Sequence, residues 1–240
     1  DLLSAMECRQ KKVLFGLGEN NDVRAVDVET DAESFSCVIV RGARRISVRI
    51  PAYGRHMVYA ALAGAAAGME LGLSDGEIAA GIADYKPVGR RAVIEDTGFV
   101  TLIDDCYNAN PASMKNALAM LRNLRSSCQA NRGRRLVFLC GPMGELGPQT
   151  ESLHEELGIA AAEAGVDLFV AVGEPPKTAA QAARQAARRD LQILCFENTL
   201  SVCDHVQEFV REDDIILVKG SRAARLERVV ETLRQGVKVS

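Results

Sequence analysis

Residues 99–114 read Phe99-Val100-Thr101-Leu102-Ile103-Asp104-Asp105-Cys106-Tyr107-Asn108-Ala109-Asn110-Pro111-Ala112-Ser113-Met114. The run opens as a short apolar segment of strand length and closes on Asn110-Pro111, a helix-capping residue followed by proline at the first helical position. Between them stand two carboxylates, a phenol and two amides, more polar groups than a strand-to-helix turn requires. Upstream, Asp96-Thr97-Gly98 separates this run from residues 92–95 and predicts a hairpin. Downstream, apolar runs alternate with amphipathic segments. Strands are expected at 135–140, 168–172, 192–196 and 214–218, with helices starting near Pro111, Thr150, Pro176, Leu200 and Ala223. This alternation predicts an α/β fold, a mostly parallel sheet covered on both faces, in which ligands bind beyond the carboxyl ends of the strands.

The first ninety or so residues follow another rhythm. Four β-rich runs, at 13–16, 22–28, 34–40 and 45–50, are separated by Gly, Asn and polar turns and predict antiparallel strands. Pro51 and Gly54 end that pattern, residues 57–71 form an Ala-rich helical stretch, and Ser74-Asp75-Gly76-Glu77 opens a second helix with a capping box. Lys86-Pro87-Val88-Gly89 breaks the helical pattern and divides the chain into domains 1–88 and 89–240. The Ala/Arg-rich residues 178–189 are expected to form a solvated helix.

Composition narrows the classes. Of 240 residues, 48% are hydrophobic and 25% charged, the balance of a globular chain. Lys plus Arg number 29 against 32 Asp plus Glu, a net charge of -3, so nothing argues for nucleic acid. No apolar run reaches the ~18 residues that span a bilayer. The expected setting is the cytoplasm, with no membrane partner. Seven Cys without CxxC or zinc spacing read as reduced, buried thiols, with Cys106 set apart by its place in the polar run. No metal ligand set emerges, and His154 is read as a core or solvated helix residue. Asp1 in first position, without a start Met or secretory signal, is read as the sign of a longer protein.

Residues 104–114 closely resemble the D-D-x-Y-N-A-N-P-x-S-M signature of Mur ligases of the MurF type. Other stretches agree in order. Asp1-Leu2-Leu3 resembles the end of N-A-D-D-P-L-L, and Phe15-Gly16 with Asp22 and Ala25 resembles the strand pair that follows it. Residues 51–63 resemble P-x-x-G-x-H-N-x-x-N-A-L-A, keeping His56 but carrying Met57 and Ala60 where the family has Asn. Arg91 falls on the family's junction Arg, residues 141–147 resemble G-D-M-x-E-L-G with Pro142 in place of Asp, and Lys219-Gly220-Ser221-Arg222 matches K-G-S-R.

The resemblance implies a carboxyl-terminal Rossmann-like domain preceded by the latter part of a central ATPase domain. It also implies an ATP-dependent ligase that adds D-alanyl-D-alanine to UDP-N-acetylmuramoyl-tripeptide through an acyl phosphate, in peptidoglycan precursor synthesis, with ATP and Mg2+ as cofactors and a monomeric full-length enzyme. Carried over residue by residue, Arg91 and Lys219 are catalytic. Arg91 meets the ATP phosphates, Asp105 the ribose, and His56, Tyr107 and Asn110 the rest of the nucleotide. Asn108, Asn110, Ser221 and Arg222 face the dipeptide. Nothing in the 240 residues fits G-x-x-x-x-G-K-[ST], so by themselves they are expected to give no ligation. A non-catalytic nucleotide- or dipeptide-binding module is the alternative. A free-standing dinucleotide oxidoreductase fits the sheet pattern but lacks its glycine fingerprint. Residues 1–88 alone are expected to self-associate or be mobile, and 90–240 to fold independently.

Overall fold

The computed structural model describes residues 9–30, 34–51, 57–86, 89–127, 131 and 133–236. Asp1-Leu2-Leu3, Gly54 and His56 lie outside the described residues. The chain divides into two units, Asp1–Lys86 and Pro87–Ser240.

In the first unit β1 (Phe15–Gly16), β2 (Val23–Thr30), β3 (Phe35–Arg41) and β4 (Arg44–Ile50) form one sheet in that order. The β2–β3 and β3–β4 pairs are antiparallel, as the alternation predicts. The first pair is not, because β1 runs parallel to β2. Residues 17–22 turn the chain fully round: Asn21 N–H donates to the Gly18 carbonyl, Leu14 N–H to Asp22 Oδ2, and Val23 N–H to the Leu14 carbonyl. So short a connection allows only two residues of each strand to pair. The helix α1 (Met57–Glu70) lays Val58, Leu62 and Ala65 against Phe35, Ile39, Ile46 and Val48. Next, α2 (Asp75–Ala83) opens with the predicted capping box, in which Ser74 Oγ accepts from Glu77 N–H and the Glu77 carboxylate accepts from Ser74 N–H.

The second unit is built on β5 (Val93–Asp96), β6 (Thr101–Asp105), β7 (Leu136–Cys140), β8 (Leu168–Val172), β9 (Gln192–Phe196) and β10 (Ile215–Lys219), in the order β5-β6-β10-β7-β8-β9. The hairpin at Asp96-Thr97-Gly98 makes β5 an antiparallel edge; the other strands are parallel. Every residue of β7, β8 and β10 is buried, which is why they read as unbroken apolar runs. Among the described residues five helices cover the sheet: α3 (Pro111–Ser127), α4 (Thr150–Ala164), α5 (Glu174–Ala186), α6 (Thr199–Phe209) and α7 (Glu227–Arg234). On one face Val137, Leu139, Val170 and Val218 pack with Val202 and Val206 of α6 and Val229, Val230 and Leu233 of α7. Alternate residues turn the other way, among them Phe138 and Phe169, whose rings meet edge to face at 5.1 Å, on the face that α3, α4 and α5 cover.

The expected solvated helix is corrected in part. Ala179, Ala180 and Ala183 of α5 are buried against α4, because Gly158 there lets the two backbones touch and a methyl group in its place would fall on the Ala179 carbonyl. Gln181, Arg184 and Gln185 keep to the solvent side, as do Arg188 and Arg189 beyond the helix end. The strand order matters most for function. Adjacent strands β6 and β10 send their following helices, α3 and α7, to opposite faces, so the departing loops diverge and leave a crevice at the carboxyl ends. Among the described residues no helix is long and apolar enough to cross a membrane.

Candidate functional site

Asp105 and Lys219 are register partners at the last residues of β6 and β10. Lys219 is only 2% exposed, and its Nζ donates to Asp105 Oδ2 at 2.6 Å and to the Asn108 carbonyl at 3.1 Å. The other carboxylate oxygen, Asp105 Oδ1, accepts from Ala92 N–H at 3.1 Å. One carboxylate thus joins the start of the unit to two strand ends. Lys219, which the resemblance makes catalytic, is the final residue of β10, closed off from solvent and paired with Asp105.

Above this pair, Tyr107 is 40% exposed and its N–H donates to the Arg90 carbonyl at 3.1 Å. Two guanidiniums lie over its ring, Arg91 at 4.5 Å and Arg222 at 5.5 Å from the centroid. Both arginines are exposed, and neither has a carboxylate partner among the described residues. Arg91 owes its place to strained neighbours, since Arg90 and Ala92 both take φ of +54°. Such a conformation costs a non-glycine residue ~1–2 kcal/mol, offset here by ties on either side. Arg90 pairs with Glu231 at 2.9 Å and Glu227 at 3.8 Å on α7, while Ala92 is held by Asp105.

The remaining predicted residues divide. Asn110 caps α3: its Oδ1 accepts from Ser113 N–H at 2.8 Å and its own N–H donates to Ser113 Oγ at 3.1 Å. Asn108 is exposed and offers its carbonyl, not its side chain, to Lys219. Ser221 N–H donates to the Pro142 carbonyl at 2.7 Å and leads into a 3-10 turn, Arg222–Ala224. A helix was expected from about Ala223; the left-handed Arg225, φ 53°, interrupts it and α7 starts only at Glu227. Arg222 therefore stands on a tight turn and not at a helix N-terminus.

The glycines of 141–147 serve two ends. Glu145 and Gly147 turn the chain with φ of +61° and +55°. Gly141 meets Gly220 so closely that a methyl on Gly220 would lie 2.8 Å from the Gly141 Cα. Met143 N–H donates to His154 Nε2 at 3.2 Å, and His154 Nδ1 bonds the Thr150 carbonyl at 2.6 Å. Fully buried, His154 is a core residue whose pKa burial lowers, with the Thr150 carbonyl opposing. Cys106 is buried beside Asp104. Burial, reinforced by its bond to Asp104 Oδ1 at 3.0 Å, pushes the thiol up to about 12.

Two groups escaped the sequence reading: Arg90, whose ion pairs fix the strained segment, and the Ala92 amide. The doublet Arg90-Arg91 beside Gly89 was the only available signal. Among the described residues no set of three or more His, Cys, Asp or Glu is placed to hold a metal. The exposed guanidiniums over Tyr107 do fit a phosphate or carboxylate.

Residues 89–222 match the family model described as Mur ligase, glutamate ligase domain. The UDP-N-acetylmuramoyl-tripeptide--D-alanyl-D-alanine ligase of Bacillus subtilis (strain 168) is 29% identical over 233 residues, covering 97% of this chain and 49% of that protein. The ligase of the same name from Escherichia coli (strain K12) is 31% identical over 219 residues, covering 90% and 45%. A crystal structure of MurF from Acinetobacter baumannii aligns with a TM-score of 0.76 at 28% identity, over 92% of this chain and 46% of that one. The chain spans about half the length of the curated relatives it matches. The family match takes in more than half of the chain and every residue from Arg90 to Arg222 that builds this crevice, and the chain belongs to the Mur ligase family.

Proposed function

We propose that this chain serves in a cytoplasmic, ATP-dependent ligase that adds D-alanyl-D-alanine to UDP-N-acetylmuramoyl-tripeptide during peptidoglycan precursor synthesis. The observation that carries the reading is the pair of uncompensated guanidiniums, Arg91 and Arg222, gathered over Tyr107 at the carboxyl ends of β6 and β10. Ligation of this kind brings anions together, and fixed cations offset their repulsion. When bound, ATP supplies the phosphoryl group that activates the peptide carboxylate. Arg91 holds phosphate oxygens. Arg222, with Ser221 beside it, takes the dipeptide carboxylate, a geometry suited to a guanidinium fork. Asp105 accepts from the ribose hydroxyls, and Lys219 positions it by neutralising its charge. Tyr107 keeps both guanidiniums aligned, while Asn108 and Asn110 border the dipeptide.

Isothermal titration with D-alanyl-D-alanine and with ADP tests the division of labour. Arg222→Ala is expected to weaken dipeptide binding about tenfold, the loss of one charged hydrogen-bonded contact, and to leave ADP nearly unchanged. Arg91→Ala is expected to do the reverse. If both variants bind both ligands as the parent does, or the parent binds neither, the reading fails. The 240 residues contain no G-x-x-x-x-G-K-[ST] loop, so the purified chain is expected to bind without ligating. Product formed at the rate of an intact relative would overturn that expectation.

A further inference from the structure

The opposite edge of the same sheet holds five arginines around one cavity of about 520 Å3. Arg125 comes from the last turn of α3, Arg134 and Arg135 from the residues before β7, Arg189 from the segment after α5, and Arg211 from the segment before β10. Parallel strands bring all of these connections to the amino-terminal edge, ~16 Å along five-residue strands from the crevice described above.

Structural needs account for part of this cluster. Arg135 grips the buried Asp214 with two bonds, at 2.9 and 2.7 Å. Arg134 donates to the Asp213 carbonyl, Asn131 Oδ1 and Thr101 Oγ1. Arg125 and Arg189 share Asp167, at 2.9 and 3.2 Å, and both reach the Gly165 carbonyl. After those bonds Arg125 and Arg189 retain N–H donors. The exposed Arg211 guanidinium has no carboxylate partner among the described residues. Among the described residues the carboxylates lining the cavity are Asp167 and Asp190; counting Asp214, which pairs with Arg135, five positive charges meet three negative ones in a chain whose net charge is -3. The anchored forks are already ordered, which lowers the cost of binding an anion.

We propose that this cavity binds a pyrophosphoryl group, either free or carried by a nucleotide. Several converging forks suit two linked phosphates better than one carboxylate, and the volume exceeds that of a lone ion. The site uses none of the residues assigned to ligation, so its failure leaves that reading intact.

Titration of the Arg91→Ala variant, which lacks the phosphate contact of the ligation site, with inorganic pyrophosphate is expected to show saturable one-to-one binding at low ionic strength. In that background Arg211→Gln and Arg189→Gln should each weaken it about tenfold, the cost of one charged phosphate contact. Displacement of the pyrophosphate by ADP in the Arg91→Ala variant supports a nucleotide source, and retention supports the free ion. Absence of saturable binding, or unaltered binding in both pocket variants, would overturn the proposal.

Discussion

Lys219 carries a charge at 2% exposure, which only a partner makes tolerable. Removing it strands the Asp105 carboxylate, itself mostly enclosed. Lys219→Met is expected to cost about 3 kcal/mol of stability by urea unfolding, and Asp105→Asn in the same molecule to recover most of it. An unchanged midpoint in the single variant would show that the pair holds nothing together. Lys219 and Asp105 were both legible as unusual residues at strand ends. Their pairing was not, because they stand 114 positions apart and local pattern carries no register across that distance. Asn110 shows the converse: its capping role was written in Asn110-Pro111, and the structure keeps it.

At the scale of elements, α4 and α5 meet through Gly158. Gly158→Ala is expected to destabilise the protein by about 2 kcal/mol or more, since the methyl meets rigid backbone. Gly81→Ala in α2, with open space around it, is expected to stabilise by ~0.5–1 kcal/mol through helix propensity. Urea midpoints of the two variants should move in opposite directions. An Ala-rich stretch does not announce which of its faces is packed, so residues 178–189 misled the sequence reading. The 141–147 turn rests on α4 through His154, whose folded-state pKa burial holds below the ordinary 6.5. Unfolding frees the imidazole to bind a proton, so its contribution is complete above pH 6.5 and is lost as pH falls through the lowered folded-state value. His154→Gln should flatten the fall in urea midpoint below pH 6.5; an identical slope in both proteins would assign the decline to other groups.

At the scale of the whole molecule, each unit has its own buried core, one centred on α1 and the sheet β1–β4, the other on β6–β10. We propose that residues 89–240 fold on their own. Limited proteolysis is then expected to cut near Gly89 and leave a resistant fragment that keeps a cooperative melting transition. Uniform resistance across residues 84–92 in a monomer would contradict this. The expected boundary at Lys86-Pro87-Val88-Gly89 rests on the break in helical pattern that proline and glycine impose.

By itself the sequence determined the α/β alternation, the strand positions, the hairpin, the capped helices and the family signature. Each of these is set within a few residues by side-chain period, turn chemistry and capping. Only the tertiary structure decided that β1 runs parallel to β2, that β10 slots between β6 and β7, and that Arg91, Tyr107 and Arg222 share one crevice. It alone gathered five arginines at the opposite edge. Strand order and the meeting of distant side chains depend on how whole faces pack, a non-local property that no short run of residues encodes.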